Sequence, residues 1–164
     1  MTAQAREILF INNERHTIFG EPLEAFLEAN KEKVKFDYRT TGCWRGYIGT
    51  WKLENDKLYL IDLQGTKYNP ETKTHSEVGM DYLFPNQKAV FANWFSGSLE
   101  IPQGETLAEY FSTFVGILCL KFTKGVLVDY KSEDSLEKMV DKAQVKDSKR
   151  TIRFWERIRG LFLK

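Results

Sequence analysis

The clearest regularity along this chain is alternation: apolar and aromatic residues recur at every second position through its middle. From Trp44 to Glu54 one face carries Arg45, Tyr47, Gly49, Trp51 and Leu53, and the other carries Trp44, Gly46, Ile48, Thr50 and Lys52. Asn55, Asp56 and Lys57 are turn material, and residues 58–63 return with Tyr59, Ile61 and Leu63 on one face. This pattern predicts an antiparallel hairpin. Gly46 and Gly49 within the strand mark a bulge or a close approach by a neighbour. A second hairpin is predicted over residues 117–123 and 126–130, turning at Lys124-Gly125. An opening hairpin is predicted from residues 7–11 and 16–19, turning at Asn12-Asn13-Glu14, because Asn tolerates the positive φ of tight turns.

Other segments follow different rules. Pro22 suits the first turn of a helix, and Leu23, Phe26 and Leu27 then follow at i, i+3, i+4, which predicts a short helix over residues 23–33. Residues 64–78 are polar and contain Asn69-Pro70, so they read as a long loop. Residues 80–84 fit one helical turn stopped by Pro85-Asn86, and residues 89–101 fit a long strand bent at Gly97. Residues 105–114 suit helix and strand equally. After Lys131 the spacing becomes helical, first at Leu136, Met139, Val140 and Ala143, then at Ile152, Trp155, Ile158 and Phe162. Asp134 and Glu137 resemble a helix-capping pair. The fold class that follows is mainly β (α+β): an antiparallel sheet forming a sandwich or partly open barrel, with one short N-terminal helix and a C-terminal helical tail. Residues 1–131 form the β-rich domain in this reading, and residues 132–164 form an amphipathic, basic tail. Alternation sets which face is buried and leaves strand order open.

Composition sharpens the picture in two respects. A chain of 164 residues that is 42% hydrophobic and 29% charged is one globular domain, and its 14% aromatic content favours sheet and a large core. The net charge of +1 offers no general attraction to nucleic acid or an anionic membrane. Charge is unevenly placed, however. Residues 149–164 hold six basic residues against one acid, Glu156, a local charge of +5. Only two cysteines, Cys43 and Cys119, occur, and there is no apolar run suited to a signal peptide or to crossing a bilayer. The expectation is a cytoplasmic protein with two free thiols and no transmembrane segment.

The runs Trp44-Arg45-Gly46-Tyr47, Thr50-Trp51-Lys52-Leu53 and Leu58-Tyr59-Leu60-Ile61-Asp62 resemble those of an uncharacterised bacterial protein family. Leu83-Phe84-Pro85, Ala92-Asn93-Trp94-Phe95-Ser96-Gly97 and Ile101-Pro102-Gln103-Gly104 fit the same pattern. The resemblance spans roughly residues 8–130. It implies a bacterial, cytoplasmic protein and transfers no activity, cofactor or catalytic residue.

Candidate chemistry is sparse. His16 and His75 are the two histidines, and no nucleophile motif accompanies either. Neither a phosphate-binding loop nor ligand spacing for a metal is present, so no catalytic residue, cofactor or metal is expected. The best small-ligand candidate is the aromatic and polar group Trp44, Arg45, Tyr47, Trp51, Asp62 and Trp94, with Ser96 beside it. Such a sheet face could hold a flat or anionic ligand by stacking and charge. The competing explanation is that the aromatics fill the core and Arg45 pairs with Asp62 or a similar acid. An Arg45 buried without a carboxylate partner would favour a ligand.

The tail is the second candidate. Ile152, Trp155, Ile158 and Phe162 form an apolar stripe flanked by Arg153, Arg157 and Arg159, a pattern suited to docking in a partner's groove or lying on an anionic membrane. Nucleic acid is a weaker reading of the same arginines. Packing of the stripe on the chain's own sheet competes with all of these. The sequence therefore favours a non-enzymatic binding protein of immunity or accessory type, bound to another protein through its C-terminal helix. The alternative is a small-ligand binder or enzyme centred on Arg45, Trp51, Asp62 and Trp94.

Overall fold

The computed structural model describes residues 4–38, 40–103 and 116–134. Nine strands and one helix make up the described chain: β1 (Glu7–Ile11), β2 (Glu14–Ile18), α1 (Glu24–Ala29), β3 (Tyr47–Glu54), β4 (Lys57–Asn69), β5 (Thr74–Val78), β6 (Val90–Phe91), β7 (Gly97–Gln103), β8 (Gly116–Thr123) and β9 (Val126–Asp134). A 3-10 turn at Met80–Tyr82 lies between β5 and β6. The three expected hairpins are present. Each turns on two residues with positive φ: Asn12 and Asn13 (51° and 64°), Asn55 and Asp56 (50° and 61°), and Lys124 and Gly125 (48° and 77°). Two positive φ values in a two-residue loop match the right-handed twist of the flanking strands, and Asn, Asp and Gly adopt them at least cost.

The strands form one mixed sheet in the order β2-β1-β3-β4-β9-β8-β7, with β5 and β6 also pairing with β4. It is not wholly antiparallel as expected, because β1 and β3 run parallel, with Ile8 opposite Thr50 and Ile11 opposite Leu53. A parallel pair needs a crossover, and the 28 residues between β2 and β3, which include α1, supply it. The two ends of the strand order meet where Phe19, just beyond β2, exchanges two backbone hydrogen bonds with Glu100 of β7 (2.8 and 3.0 Å). The sheet thus curls back on itself around Leu9, Ile11, Trp51, Leu58, Leu60, Leu99, Leu118 and Leu120, each 2% exposed or less.

Several elements differ from the sequence reading. The polar stretch read as a loop is strand instead: β4 continues to Asn69 and pairs with β5. Alternation is invisible there because the outer half of this hairpin is exposed on both faces. Asn69 Oδ1 accepts the backbone N–H of Glu71 at 2.9 Å and so initiates the turn that Pro70 enters. The long strand expected over residues 89–101 is broken into β6 and β7 by a turn in which Phe95 N–H donates to the Ala92 carbonyl (2.9 Å). The helix is shorter than expected, spanning Glu24–Ala29. β4 also changes phase. Leu58 and Leu60 point inward, then Leu63 and Gly65 do, because the β3–β4 register shifts between Thr50 and Trp51. The extra residue turns Tyr59 and Ile61 away from the core face on which Leu63 sits. Residues 105–114 and the segment expected to form a C-terminal helical tail lie outside the described residues. No described helix is long and apolar enough to cross a membrane.

The seam between β4 and β9 is narrow, with a single paired position, Lys57 opposite Val126. Gly125 carries it. Its N–H donates to the Phe95 carbonyl (2.7 Å), its carbonyl accepts the Leu58 N–H (2.9 Å), and a Cβ there would stand 2.5 Å from the Ala92 oxygen. Positive φ and close backbone contact together demand glycine. Gly125→Ala should therefore cost on the order of 2 kcal/mol, read as a lower urea midpoint; an unchanged midpoint would refute this account of the seam.

Candidate functional site

The described residues bring their polar chemistry together at one end of the curled sheet, where β1 and β3 begin. Inward positions on β1 are Glu7, Leu9 and Ile11, and those on β3 are Tyr47, Gly49 and Trp51. Glu7 thus points, in phase with two core residues, into the interior, and is 1% exposed. Gly49 makes the space: a Cβ on it would lie 2.9 Å from Glu7 Oε2 and 2.8 Å from Trp51 Nε1. Through that gap Trp51 Nε1–H donates to Glu7 Oε2 at 2.5 Å.

Arg45 sits above this carboxylate. Its Nε lies 3.6 Å from Glu7 Oε1, its Nη1 donates to the Ala5 carbonyl at 2.8 Å, and the same Nη1 lies 3.6 Å from Glu21 Oε1. The preceding segment is fixed against the start of β1: Ala5 N–H donates to the Gly42 carbonyl (2.6 Å), and Trp44 N–H donates to Gln4 Oε1 (2.9 Å). The Arg45 guanidinium also stands 5.4 Å from the centre of the Tyr47 ring, within cation–π range. The Tyr47 ring itself packs on Phe36 at 5.0 Å.

Burial dominates the electrostatics. It raises Glu7 to about 7, against the opposing effects of the Trp51 hydrogen bond and the Arg45 charge. Burial, then the negative charges of Glu7, Glu21 and Glu24, push Tyr47 above its usual value, so its hydroxyl stays protonated. Four polar atoms here are buried without a hydrogen-bond partner: Glu7 Oε1, Arg45 Nε, Arg45 Nη2 and the Tyr47 hydroxyl. Arg45 and Tyr47 line a cleft of about 480 Å³ walled by α1 and residues 34–36. A second cleft, of about 500 Å³, lies on the other flank of Tyr47 beside Cys43, Gly65 and Val78, but gathers no comparable set of unpartnered groups.

Of the expected ligand group, the structure places only Arg45 and Tyr47 together at this cleft. Trp51 is fully buried and supports Glu7 from below. Trp44 is 70% exposed. Asp62 faces outward, its Oδ1 accepting the Leu63 N–H (2.9 Å), so Arg45 pairs with Glu7 and Glu21 instead. Trp94 belongs to a separate aromatic cluster with Phe26 and Phe84, centroids 5.0 and 5.7 Å away, and donates to the Pro22 carbonyl. Ser96 Oγ accepts the Lys124 N–H in the β8–β9 turn. Glu7 was not among the expected residues. Its signal was an acid in phase with Leu9 and Ile11 on a buried strand face.

The histidines lie elsewhere. His16 is on β2, lowered by burial, and His75 Nε2 meets Asp37 Oδ2 at 3.1 Å. Cys43 and Cys119 are free thiols, and among the described residues no three His, Cys, Asp or Glu side chains converge as a metal site. The expected partner-binding residues, Ile152, Arg153, Trp155, Arg157, Ile158, Arg159 and Phe162, lie outside the described residues. No family model, curated protein or solved structure matches the chain.

Glu7 makes stability depend on pH in a definite direction. Its pKa is higher folded (about 7) than at its ordinary value of 4.5, so the folded state binds the extra proton between those limits. Its contribution is complete below about pH 4.5 and is lost as pH rises through 7, by roughly 3 kcal/mol in all. Urea midpoints measured from pH 5 to pH 8 should fall, and Glu7→Gln should flatten that slope; an identical slope in the variant would contradict the assignment.

Proposed function

We propose that this is a binding protein whose site is the cleft floored by Arg45 and Tyr47, and that it captures a small polar ligand there. The observation that carries this reading is the set of buried polar atoms on Glu7, Arg45 and Tyr47 that make no hydrogen bond beside a cleft of ligand size, Arg45 having only the carboxylates of Glu7 and Glu21 opposite it at 3.6 Å. Buried donors left without acceptors are costly to fold, each on the order of 1–3 kcal/mol, and because these atoms have almost no accessible surface, a ligand offsets that cost where its entry shifts the side chains that cover them. Binding is favoured over catalysis because Glu7, the buried acid raised to about 7, is sealed beneath Arg45 with its second oxygen held by Trp51. A general acid or base must reach its substrate. A protein partner engaged through Ile152, Trp155, Ile158 and Phe162 draws on residues outside the described ones, and no described contact favours it over the cleft.

The reading predicts a trade between stability and binding at Tyr47. Tyr47→Phe keeps the ring packing and removes an unpartnered hydroxyl, so the free protein should gain about 1 kcal/mol while losing affinity. A thermal-shift screen of the full chain with organic acids, amines, sugars, nucleotides and short peptides should yield at least one class that raises Tm. That shift should shrink in Tyr47→Phe. Silence across the whole screen would dismiss the cleft as a binding site.

A further inference from the structure

The β4–β5 hairpin runs on past the strands that support it. β3 accompanies β4 as far as Gly65, and beyond Thr66 the only described strand beside β4 is β5. Among the described residues β5 pairs with β4 alone, and it is exposed at every position from Thr74 to Glu77. Two strands without a third make a ribbon of marginal stability. We infer that a second copy of this chain supplies the next strand: β5 pairs antiparallel with β5 of that copy, about a two-fold axis at Ser76. The pairing stands independently of the cleft, and three observations lead to it.

The first is where the backbone groups of β5 point. Thr66, opposite Glu77, turns both of its own groups away from β5: its N–H donates to the Gly46 carbonyl (2.9 Å), and its carbonyl accepts the Asp37 N–H (2.8 Å). Opposite residues in an antiparallel ladder alternate between exchanging both hydrogen bonds and exchanging neither. Thr66 with Glu77 is therefore a position without exchange, and so is Tyr68 with His75. Glu77 and His75 accordingly carry N–H and C=O to the outer edge of the sheet, whereas Thr74, Ser76 and Val78 direct theirs to β4. An axis at Ser76 sets His75 of each copy opposite Glu77 of the other, and each such pair exchanges both bonds.

The second is charge. Opposite charges facing across an antiparallel pair stabilise it, and like charges destabilise it. With the axis at Ser76, the Glu77 carboxylate lies beside the second copy's His75 and diagonal to its Lys73. His75 Nε2 already meets Asp37 Oδ2 of its own chain at 3.1 Å, and its ring centre lies 5.1 Å from that of Tyr68, which holds it on that face. An imidazolium there has one carboxylate for each ring N–H. Neighbouring registers lose this match. An axis at His75 sets two imidazoles opposite each other, an axis at Glu77 sets two carboxylates opposite each other, and a slip of one residue puts outward backbone groups against inward ones.

The third is how little guards the edge. Edge strands are commonly protected by proline, a bulge or lysine. β5 holds none of these from Thr74 to Val78, and its register with β4 runs unbroken.

The test is sedimentation equilibrium of the full chain over a concentration series reaching about 1 mM, since a pairing of this size is weak. A reversible monomer–dimer equilibrium is expected. His75→Glu and Glu77→Lys each set like charges opposite, twice per dimer, and should each weaken it about tenfold. Mixing the two variants puts Glu against Lys and should restore the association that each lacks alone. His75→Lys, which fixes a positive charge opposite Glu77, should tighten the dimer. Ser76→Cys brings two Cα atoms to about 4.5 Å across the axis, within the span of a disulfide. It should cross-link on mild oxidation, with the wild-type chain as the blank for Cys43 and Cys119. Thr74→Cys, set opposite Val78, should not. The cross-link reads the register even where a charge variant unfolds. A chain that stays monomeric throughout, a dimer indifferent to both charge changes, or equal cross-linking at positions 74 and 76 would overturn the pairing.

Discussion

A carboxylate inside an apolar interior must be met by donors or must take up a proton, because burial penalises its charge. Glu7 does both, and much of this molecule's end is arranged around it. Its position at the first inward site of β1 requires the parallel neighbour β3 to present glycine at position 49 and an indole N–H from Trp51. That parallel pairing in turn requires a crossover, which places α1 and residues 34–36 over the same end and brings Arg45 across Ala5. The cleft is therefore a consequence of the crossover that parallel pairing demands, lined by the connection itself and floored by the residues that enter β3.

How much of this was visible in the sequence depends on whether local chemistry sufficed. The three hairpins were visible because Asn12-Asn13, Asn55-Asp56 and Lys124-Gly125 carry their turn geometry in their own residues. The inward face of β3 was visible for the same reason, since Tyr47, Gly49 and Trp51 alternate without interruption. The phase change in β4 was not, because a bulge is set by the partner strand and leaves ordinary residues, Ile61 and Asp62, in the primary sequence. The β4–β5 hairpin leaves no such trace because its outer half is solvated on both faces, and a strand with no buried face has no period of two.

The candidate site divides along the same line. Arg45 and Tyr47 fall on one face by simple counting, and the structure keeps them together. Trp44 sits in the turn before β3 and is exposed; Asp62 lies past the bulge and turns outward; Trp94 is carried away by the turn that separates β6 from β7. Each was a chemically sensible companion for Arg45, and each was removed by backbone geometry that alternation does not encode. The acid that does meet Arg45 came from 38 positions earlier through a parallel pairing, the kind of contact that local pattern is least able to report.

Why such a cluster persists is a question of competing free energies. An apolar residue in place of Glu7 would leave Trp51 Nε1 unpartnered and Arg45 without one of its two counter-charges, so single replacements are penalised from both sides. Replacing all the members by well-packed apolar residues would escape that penalty, and buried ionic groups are often less stable than such a replacement. The arrangement is thus one that stability alone does not explain. The ligand we propose would account for it, since groups fixed in place before binding lose little freedom when it occurs.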